Sequence, residues 1–197
     1  MQIKIQPMGP YQTNCYIVTV DGKDIIIDPG VGATEWVMKN VTNPIAILNT
    51  HGHFDHVWSN QELKEELDIP LYTPKGDAFL LQSSAMMPDL PPSFPDYEIE
   101  GDEELNIEGI PVKFHHFPGH CPGCSVIEIE DAMFSGDFIF ENSIGRCDFP
   151  FSSPEDMKAS LKKLKNIEYD KKVYPGHGGP TSIKAEQKNA DYWIRAL

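Results

Sequence analysis

The sequence predicts an α+β fold in which two β-sheets pack face to face and helices cover their outer sides. Short apolar or alternating runs, typical of strands, crowd together twice along the chain, once before residue 75 and again after residue 102. Segments with helical spacing lie within or after each group, and the apolar stripe of each helix must be buried against a sheet. The 197 residues are enough to bury a substantial core, and we expect a single domain spanning 1–197.

The first half of the chain contains alternating or continuously apolar runs that predict strands. Apolar residues at helical spacing, such as Trp36, Val37 and Val41, predict a helix. A further helix is expected to have Ser59 as its N-cap, because Glu62 follows three residues later. In order, the predicted strands are 2–6, 15–20, 23–30, 45–50 and 69–74, and the predicted helices are 32–41, 59–67 and 78–81.

The second half repeats this mixture of strands and helices. A helix is expected to begin at Ser153 as N-cap, with Pro154 at the first helical position, where its missing N–H is tolerated. Another helix is expected to close the chain. In order, the predicted strands are 103–107, 110–117, 124–130, 132–137 and 171–178, and the predicted helices are 153–167 and 182–197.

The stretch 83–98, SSAMMPDLPPSFPDYE, has neither the helical nor the strand period. A loop of this length in a compact domain is usually functional or mobile, although it can also be a surface excursion that covers a sheet edge. We expect it to form part of the wall of a substrate pocket, because apolar side chains on such a loop are best explained by something that they cover. These side chains are Met86, Met87, Leu90 and Phe94.

The formal net charge of −14 repels polyanions, so nucleic acid is a poor candidate partner. The only dense basic stretch, 158–166, spaces its lysines as on the solvated face of a helix. No apolar run is long enough to span a membrane, and the N-terminal residues lack the apolar core of a signal peptide. We therefore expect a cytoplasmic protein that acts on a small molecule.

Four cysteines, Cys15, Cys121, Cys124 and Cys147, are expected to be thiols in a reducing compartment. Cys121 and Cys124 form a single C-x-x-C, which is a weak zinc signal without a second pair. Two interpretations stay open for the pair and for Cys147: small buried residues, or residues that confer redox sensitivity or a modified metal preference.

The stretch LNTHGHFDHVW, 48–58, places three of the seven histidines and one aspartate within six residues. His51 and His53 follow a predicted strand and can point into one volume, whereas Asp55 and His56 face the other side of the same turn. Imidazole and carboxylate are the ligands that Zn²⁺ and similar metals bind. Alone, such a cluster can also be a structural patch.

Three further residues strengthen the metal hypothesis. His120, Asp137 and His177 each follow a predicted strand and lie beside a glycine, where the backbone can approach a metal closely. His115 and His116 lie within a strand, and we interpret them as structural, or at most as residues that support a metal ligand from behind.

These motifs, taken in order, resemble the metallo-β-lactamase fold superfamily. THGHFDH matches its H-x-H-x-D-H signature, and Asp28, His120, Asp137 and His177 fall in its other motifs. Within the superfamily, PGHCPGCSV, FSGDFIF and SIGRCDFP are similar to the short glyoxalase II-like hydrolases. The resemblance covers nearly the whole chain and implies a four-layer αββα sandwich with a metal site at one edge.

The resemblance also implies roles for individual residues. Asp137 would bridge two metal ions, Asp28 would support the histidine loop from behind, and Arg146 would contact substrate. Zinc is the expected metal, with iron or manganese as alternatives. One ion would take His51, His53 and His120, and the other would take Asp55, His56 and His177.

The implied activity is hydrolysis of a small thioester, S-lactoylglutathione-like or another acyl-thiol, by a metal-bound hydroxide, with Asp55 and Asp137 as the catalytic carboxylates. The alternatives are a mononuclear iron persulfide dioxygenase-like oxidoreductase and a phosphodiesterase of the same fold. The match at Gly145 to Asp148 does not separate hydrolase from dioxygenase, whereas the intact second ligand set favours the hydrolase.

The chain departs from the glyoxalase II pattern where glutathione is held. Asp148 replaces an aromatic residue after Arg146, Gly178 stands where another aromatic is usual, and little chain follows His177. We therefore expect that glutathione thioesters are not the best substrates.

Overall fold

Two six-stranded sheets form the centre of the molecule, in a computed structural model that describes residues 1–82 and 87–197. The first sheet has the strand order β1-β2-β3-β4-β5-β6, with the first three strands antiparallel and the last four parallel to one another. Its strands are β1 (Gln2–Met8), β2 (Thr13–Val20), β3 (Lys23–Ile27), β4 (Pro44–Leu48), β5 (Leu71–Pro74) and β6 (Tyr97–Ile99).

The second sheet is mainly antiparallel, apart from one parallel pair at its centre. Its strands are β7 (Glu103–Ile107), β8 (Ile110–His116), β9 (Ser125–Ile129), β10 (Ala132–Gly136), β13 (Lys172–Pro175) and β14 (Thr181–Ser182). The order is β14-β13-β10-β9-β8-β7, and β10 and β13 are the parallel pair. A separate small hairpin joins β11 (Ile139–Phe140) to β12 (Ser143–Ile144).

Helices cover the outer face of each sheet. Two apolar clusters show this: one packs helices of the first half onto the first sheet, and the other packs helices of the second half onto the second sheet. The helices are α1 (Ala33–Asn40), α2 (Phe54–Val57), α3 (Asn60–Leu67), a 3₁₀ helix (Lys75–Gln82), α4 (Pro154–Lys165), α5 (Ile183–Gln187) and α6 (Ala190–Ala196). No helix among the described residues is long and apolar enough to cross a membrane.

The period-two alternation of the strands explains the four layers. In β3, Ile25 and Ile27 pack into the core between the sheets, whereas Ile26 packs against the helices outside. In β4, Leu48 faces the other sheet and Ile47 faces the helices. Because both faces of these strands are covered, they read as continuous apolar runs. The predicted αββα sandwich is confirmed.

The structure corrects several local expectations. Ser59 precedes α3, but its hydroxyl donates to the Gly30 carbonyl at 2.8 Å and caps nothing. Ser153 does cap α4, accepting from the Asp156 N–H at 3.1 Å. The predicted helix 182–197 is two helices, α5 and α6, and the short helix 78–81 is the 3₁₀ helix, which starts three residues earlier.

The predicted loop 83–98 is shorter than expected, because β6 begins at Tyr97. Met86 lies outside the described residues. Met87 lines a cleft beside the histidines, as described below, whereas Leu90 packs onto the α1 and α3 side of the first sheet. Phe94 is exposed, and its N–H donates to Gln61.

Candidate metal centre

Strand ends from both sheets meet at one edge of the sandwich and carry the predicted ligands there. From the first sheet, β4 ends just before a loop with His51 and His53, which leads directly into α2 with Asp55 and His56. From the second sheet come the β8–β9 loop with His120, the end of β10 with Asp137 and the end of β13 with His177.

The start of β2 fastens the two sheets together at this edge. The Asn14 backbone N–H donates to the Gly176 carbonyl at 2.7 Å, and its side-chain amide donates to the carbonyls of Pro175 and Gly178, both at 2.9 Å. The Tyr16 hydroxyl donates to the Pro175 carbonyl at 2.5 Å. The loop of His177 is therefore held against the first sheet by buried hydrogen bonds.

The first ligand set consists of His51, His53 and His120. Each offers a ring nitrogen, and the three nitrogens lie within 4.8 Å of one another. The ring centroids of His53 and His120 are 4.5 Å apart, and all three side chains are buried. Three imidazoles at these separations are the ligand number and type that a zinc-like ion uses.

The second ligand set consists of Asp55, His56 and His177, whose ligand atoms also lie within 4.8 Å of one another. Asp55 Oδ2 is 3.6 Å from His56 Nε2 and 3.4 Å from His177 Nε2. Thr13 donates its hydroxyl to the same Asp55 oxygen at 2.6 Å, which fixes the carboxylate in this orientation.

Asp137 lies between the two sets. Its Oδ2 is 3.5 Å from His120 Nε2 of the first set and 3.4 Å from His177 Nε2 of the second, and its Oδ1 is 3.4 Å from His56 Nε2. One carboxylate therefore reaches both sets at once.

The ring orientation of the histidines is fixed on the side away from this centre. Nδ1 of His120 donates to the Arg146 carbonyl at 2.8 Å, and Nδ1 of His177 to the Tyr11 carbonyl at 3.1 Å. Nδ1 of His51 contacts the Thr50 hydroxyl at 3.0 Å. These contacts place a proton on Nδ1 of each ring and turn Nε2 toward the centre.

Asp28 occupies the position behind the histidine loop that was predicted for it. Its Oδ2 accepts from His56 Nδ1 at 2.9 Å and from the Thr50 hydroxyl at 2.6 Å, and its Oδ1 accepts from the Thr50 N–H at 2.8 Å. It touches no Nε2 ligand atom in these bonds, so it orients His56 and the loop.

The donor set fits divalent metal ions. Five buried atoms in the centre have no hydrogen-bond partner among the described residues, although buried polar atoms are normally paired. All five would be satisfied by coordination. They are Nε2 of His51, His53, His56 and His120, and Oδ1 of Asp137.

The electrostatics of the centre point the same way. Burial lowers the pKa of His53 to about 3, with nearby His120 adding to the effect, so this imidazole is neutral. Burial raises the pKa of Asp55, but His56 and the hydrogen bond from His177 outweigh it and bring the pKa to about 2. Burial lowers the pKa of His177, but its hydrogen bonds with Asp137 and Asp55 outweigh it and raise the pKa to about 9. The anionic carboxylates of Asp55 and Asp137 are therefore stabilised by positive charge in the centre, which protons or cations can supply.

An open cleft of about 630 Å³ leads to this centre. His53, His120, Asp137 and His177 form its floor. Tyr11 and Phe54 meet edge to face at 5.3 Å on one side, and Phe149 lies edge-on to His53 at 6.0 Å. The wall above the ligands is mainly apolar and consists of Tyr11, Phe54, Met87, Phe140, Ile144 and Phe149.

Arg146 lies in the cleft wall, but its guanidinium is engaged. Nε and one terminal nitrogen both donate to the Asp148 carboxylate at 2.8 Å, and the group lies 4.3 Å from the centre of the Phe149 ring. Both charged side chains are exposed. The positive charge expected to contact substrate is therefore paired within the chain.

The cysteines take no part in the centre. All four are free, and Cys121 and Cys124 are buried with their sulfurs in contact. Burial raises the pKa of Cys121 well above its usual value, with Cys124 adding to the effect, and burial raises that of Cys147 to about 11. Thiols with a raised pKa are poorly reactive, which agrees with the interpretation of these cysteines as small buried residues. His115 pairs with Glu128 at 2.9 Å, away from the centre.

Several residues of the centre carry no sequence signal. Thr13 lies 42 positions from the Asp55 that it orients, and Tyr11 and Phe149 line the cleft from loops without a motif. Asp77 is buried beside the ligand loops at the start of a short 3₁₀ helix. Only the departure of Asp148 from the glyoxalase II pattern pointed to a change in this wall.

Comparison with known proteins agrees with this geometry. The family model described as the metallo-beta-lactamase superfamily matches residues 8–177. A hydroxyacylglutathione hydrolase, GloC, from Haemophilus influenzae is 34% identical over 206 residues, covering 96% of this chain and 96% of that protein.

Two solved structures share the fold along nearly their whole length. The BLEG-1 B3 metallo-beta-lactamase superposes with a TM-score of 0.87 at 29% identity, covering 98% of this chain and 99% of that one. TTHA1623, crystallised in a di-iron-bound form, has a TM-score of 0.82 at 33% identity, covering 93% and 96%. With its paired sets of histidine and aspartate ligands at the edge of an αββα sandwich, this chain belongs to the metallo-beta-lactamase superfamily of metallohydrolases.

Proposed function

We propose that this protein is a binuclear metallohydrolase that cleaves small thioesters. The position of Asp137 carries the proposal. Its two oxygens lie within 3.5 Å of histidines from both ligand sets, and a carboxylate shared in this way is suited to bridge two cations. Zinc is the proposed metal, because imidazole and carboxylate suit it, and iron or manganese are the alternatives.

Each ligand set would hold one ion. The first would be bound by His51, His53 and His120, and the second by Asp55, His56 and His177, with Asp137 contacting both. Asp28 orients His56 from behind through Nδ1. Asp55 and Asp137 are the proposed catalytic carboxylates.

When bound, two such ions supply a water of lowered pKa and stabilise negative charge on a thioester oxygen and a departing thiolate. The chain contributes orientation, since hydrogen bonds on Nδ1 and from Thr13 fix the ligands before substrate arrives. The apolar wall contributes binding and excludes water from the acyl group.

The cleft favours an uncharged, apolar thioester over a glutathione thioester. Six apolar side chains form the wall, and the guanidinium of Arg146 is already paired with Asp148. The relative named hydroxyacylglutathione hydrolase supports the thioester class, including S-lactoylglutathione-like substrates. The pairing of Arg146 supports a preference for another acyl-thiol.

Two further features support a small-molecule enzyme of the cytoplasm. The four free cysteines are usual for a reducing compartment. The net charge of −14 disfavours binding of nucleic acid or of anionic membranes.

The test combines metal analysis with two activity assays. Protein purified without added metal is analysed for zinc, iron and manganese, and then assayed for thiol release from a thioester panel and for oxygen uptake with glutathione persulfide. We expect two ions per chain and thiol release without oxygen consumption. One iron per chain with oxygen uptake, and no thiol release, would replace the proposal with the mononuclear dioxygenase.

A further inference from the structure

The buried carboxylate of Asp77 lies behind the first ligand set, and the cleft does not include it. Asp77 is 0% exposed and stands in the 3₁₀ helix. Its Oδ1 accepts from the Gly123 N–H at 2.6 Å. Its Oδ2 accepts from the Gly52 N–H at 3.1 Å and from the Cys121 thiol at 2.7 Å. One carboxylate thus gathers three donors.

These donors belong to the two loops that carry the first ligand set. Gly52 stands between His51 and His53, and Cys121 directly follows His120 in the loop that also contains Gly123. Asp77 is therefore hydrogen-bonded to both loops at once.

The backbone packs tightly at this junction. A Cβ on Gly52 would lie 2.7 Å from the Asp77 carbonyl oxygen, and one on Gly123 would lie 2.7 Å from Asp77 Cγ. Side chains are excluded at both positions, so the separation of the two loops is set by the Asp77 carboxylate and by backbone contact.

We propose that Asp77 is a positioning residue for the metal site formed by His51, His53 and His120. The inference rests on the proposed function only in requiring that this site binds a metal ion. Hydrogen-bonded partners behind metal ligands typically contribute about 10- to 100-fold in metal affinity. Asp28 has the corresponding place behind His56, but it also reaches Thr50 next to His51. The donors to Asp77 lie nearest to ligands of the first set, since Gly52 stands between His51 and His53, and Cys121 and Gly123 follow His120.

Zinc affinity in single-site backgrounds tests this. His177→Ala leaves the first set intact, and His53→Ala leaves the second. In each background, Asp77→Asn is compared with its parent by competition with a chelating indicator. We expect zinc to bind about 10- to 100-fold more weakly in the His177→Ala background, and within about twofold of the parent in the His53→Ala background. Equal effects in the two backgrounds, or none, would overturn the inference.

A matched pair of cysteine variants separates positioning from packing. Cys121 and Cys124 are both buried and touch each other, but only Cys121 donates to Asp77. Cys121→Ala should weaken zinc binding at the first site by a few fold, Cys121→Ser should restore it, and Cys124→Ala should leave it unchanged. Equal losses of zinc affinity for the two alanine variants would show a packing effect and overturn the inference. If Asp77→Asn does not fold, the comparison of Cys121→Ala with Cys124→Ala tests the inference in its place.

The outcomes also separate this inference from the proposed function. If the His177→Ala protein binds no zinc, the first site and the role of Asp77 fail together. If the zinc pattern holds but no thioester is cleaved, only the proposed activity fails.

Discussion

Among single residues, Asp137 and Asp28 have different roles in the centre. Asp137 reaches histidines of both ligand sets, whereas Asp28 accepts only from Nδ1 of His56 and from Thr50. We expect Asp137→Ala to nearly abolish thioester hydrolysis and to lower the metal content. Asp28→Asn should lower kcat/KM by about 10- to 100-fold. Small, equal losses at the two positions would show that the ligand assignment is wrong.

The exposed pair of Arg146 and Asp148 governs the charge of the cleft mouth. Because this pair is exposed and screened by solvent, releasing Arg146 should alter selectivity only modestly. We expect Asp148→Asn to raise kcat/KM for carboxylate-bearing thioesters relative to uncharged ones by about two- to fivefold.

The control for this prediction removes the same charge elsewhere. Asp131 is exposed in the turn between β9 and β10, at the end of the second sheet opposite to Gly136 and the ligands. Asp131→Asn should leave the ratio unchanged. A ratio that responds equally to both substitutions would reflect net charge alone.

Single residues also show which part of the site is readable from sequence. The ligands were predictable because imidazole and carboxylate groups recur after strands in a recognisable order. Thr13 and Asp77 were not, since each acts through a hydrogen bond to a residue more than twenty positions away. The pairing of Arg146 with Asp148 needed side-chain rotamers, which no motif specifies.

At the scale of elements, the segment before β6 divides into two parts. Met87 lines the cleft, whereas Phe94 is 52% exposed and lines no part of it. The expectation that the apolar side chains of this segment form the substrate wall is therefore supported for Met87 and wrong for Leu90 and Phe94. We expect Met87→Ser to raise KM for apolar thioesters by a few fold, since a buried apolar contact of this size contributes on the order of 1 kcal/mol. Phe94→Ser is the matched control and should leave KM unchanged.

The connection from α1 to β4 depends on Asp24. Its Oδ2 accepts from the backbone N–H groups of Thr42 and Asn43 at 2.6 and 3.0 Å, and its Oδ1 accepts from the Thr19 hydroxyl at 2.5 Å. Burial raises the pKa of this carboxyl, but the three hydrogen bonds outweigh it and hold the pKa below its usual value.

Because the folded-state pKa is lowered, the stabilisation is complete above the ordinary carboxyl pKa of about 4. It is lost as pH falls through the lower folded value. We expect Asp24→Ala to reduce the free energy of unfolding of metal-free protein by about 2 kcal/mol at pH 7, with the difference closing in acid. Denaturant unfolding at pH 7 and pH 3 measures it, with Asp131→Ala as control. A difference that is independent of pH would contradict this role.

Element boundaries followed the sequence where local chemistry decided them. Ser153 caps α4, with Pro154 at the first helical position, whereas the Ser59 hydroxyl donates to the carbonyl of Gly30, far away in sequence. The last helix breaks where Asn189 donates to Glu186, three residues back. The Glu186 carboxylate itself accepts hydrogen bonds from the Thr181 hydroxyl and the Asn142 N–H. The periodicity of apolar residues in the sequence does not reveal these tertiary contacts.

For the whole molecule, the sandwich was predictable from the sequence. Both faces of its central strands are covered, and strands of this kind appear in the sequence as continuous apolar runs. The convergence of the strand ends was not predictable, since it depends on how the two sheets are docked. Because the two sheets are docked in this way, the centre would also affect the stability of the fold. The first sheet carries four of the candidate ligands and the second carries three, so ions bound there would cross-link the sheets at one edge.

Removal of metal should therefore destabilise the fold as well as abolish activity. An ion present at about 100 times its Kd stabilises the folded state by about 2.7 kcal/mol, and 1 kcal/mol shifts the Tm of a domain of this size by about 2–4 °C. With these values, we expect chelation to lower Tm by about 5–10 °C for each ion that is removed. Asp137→Ala should show a much smaller shift on chelation, since it binds both ions poorly from the start.

Hydrogen exchange locates the effect within the molecule. The N–H of Asn14 in the first sheet donates to Gly176 of the second, and the N–H of Gly176 donates within the second sheet to Gly136, beside Asp137. These amides should lose protection on metal removal, because the cross-link that holds the two sheets together there is gone. Amides of the β9–β10 turn, around Asp131, lie at the opposite end and should exchange at unchanged rates. A uniform loss of protection over both ends would mean that the ions act through global stability alone, and no loss at either end would mean that the sheets hold this edge together without them.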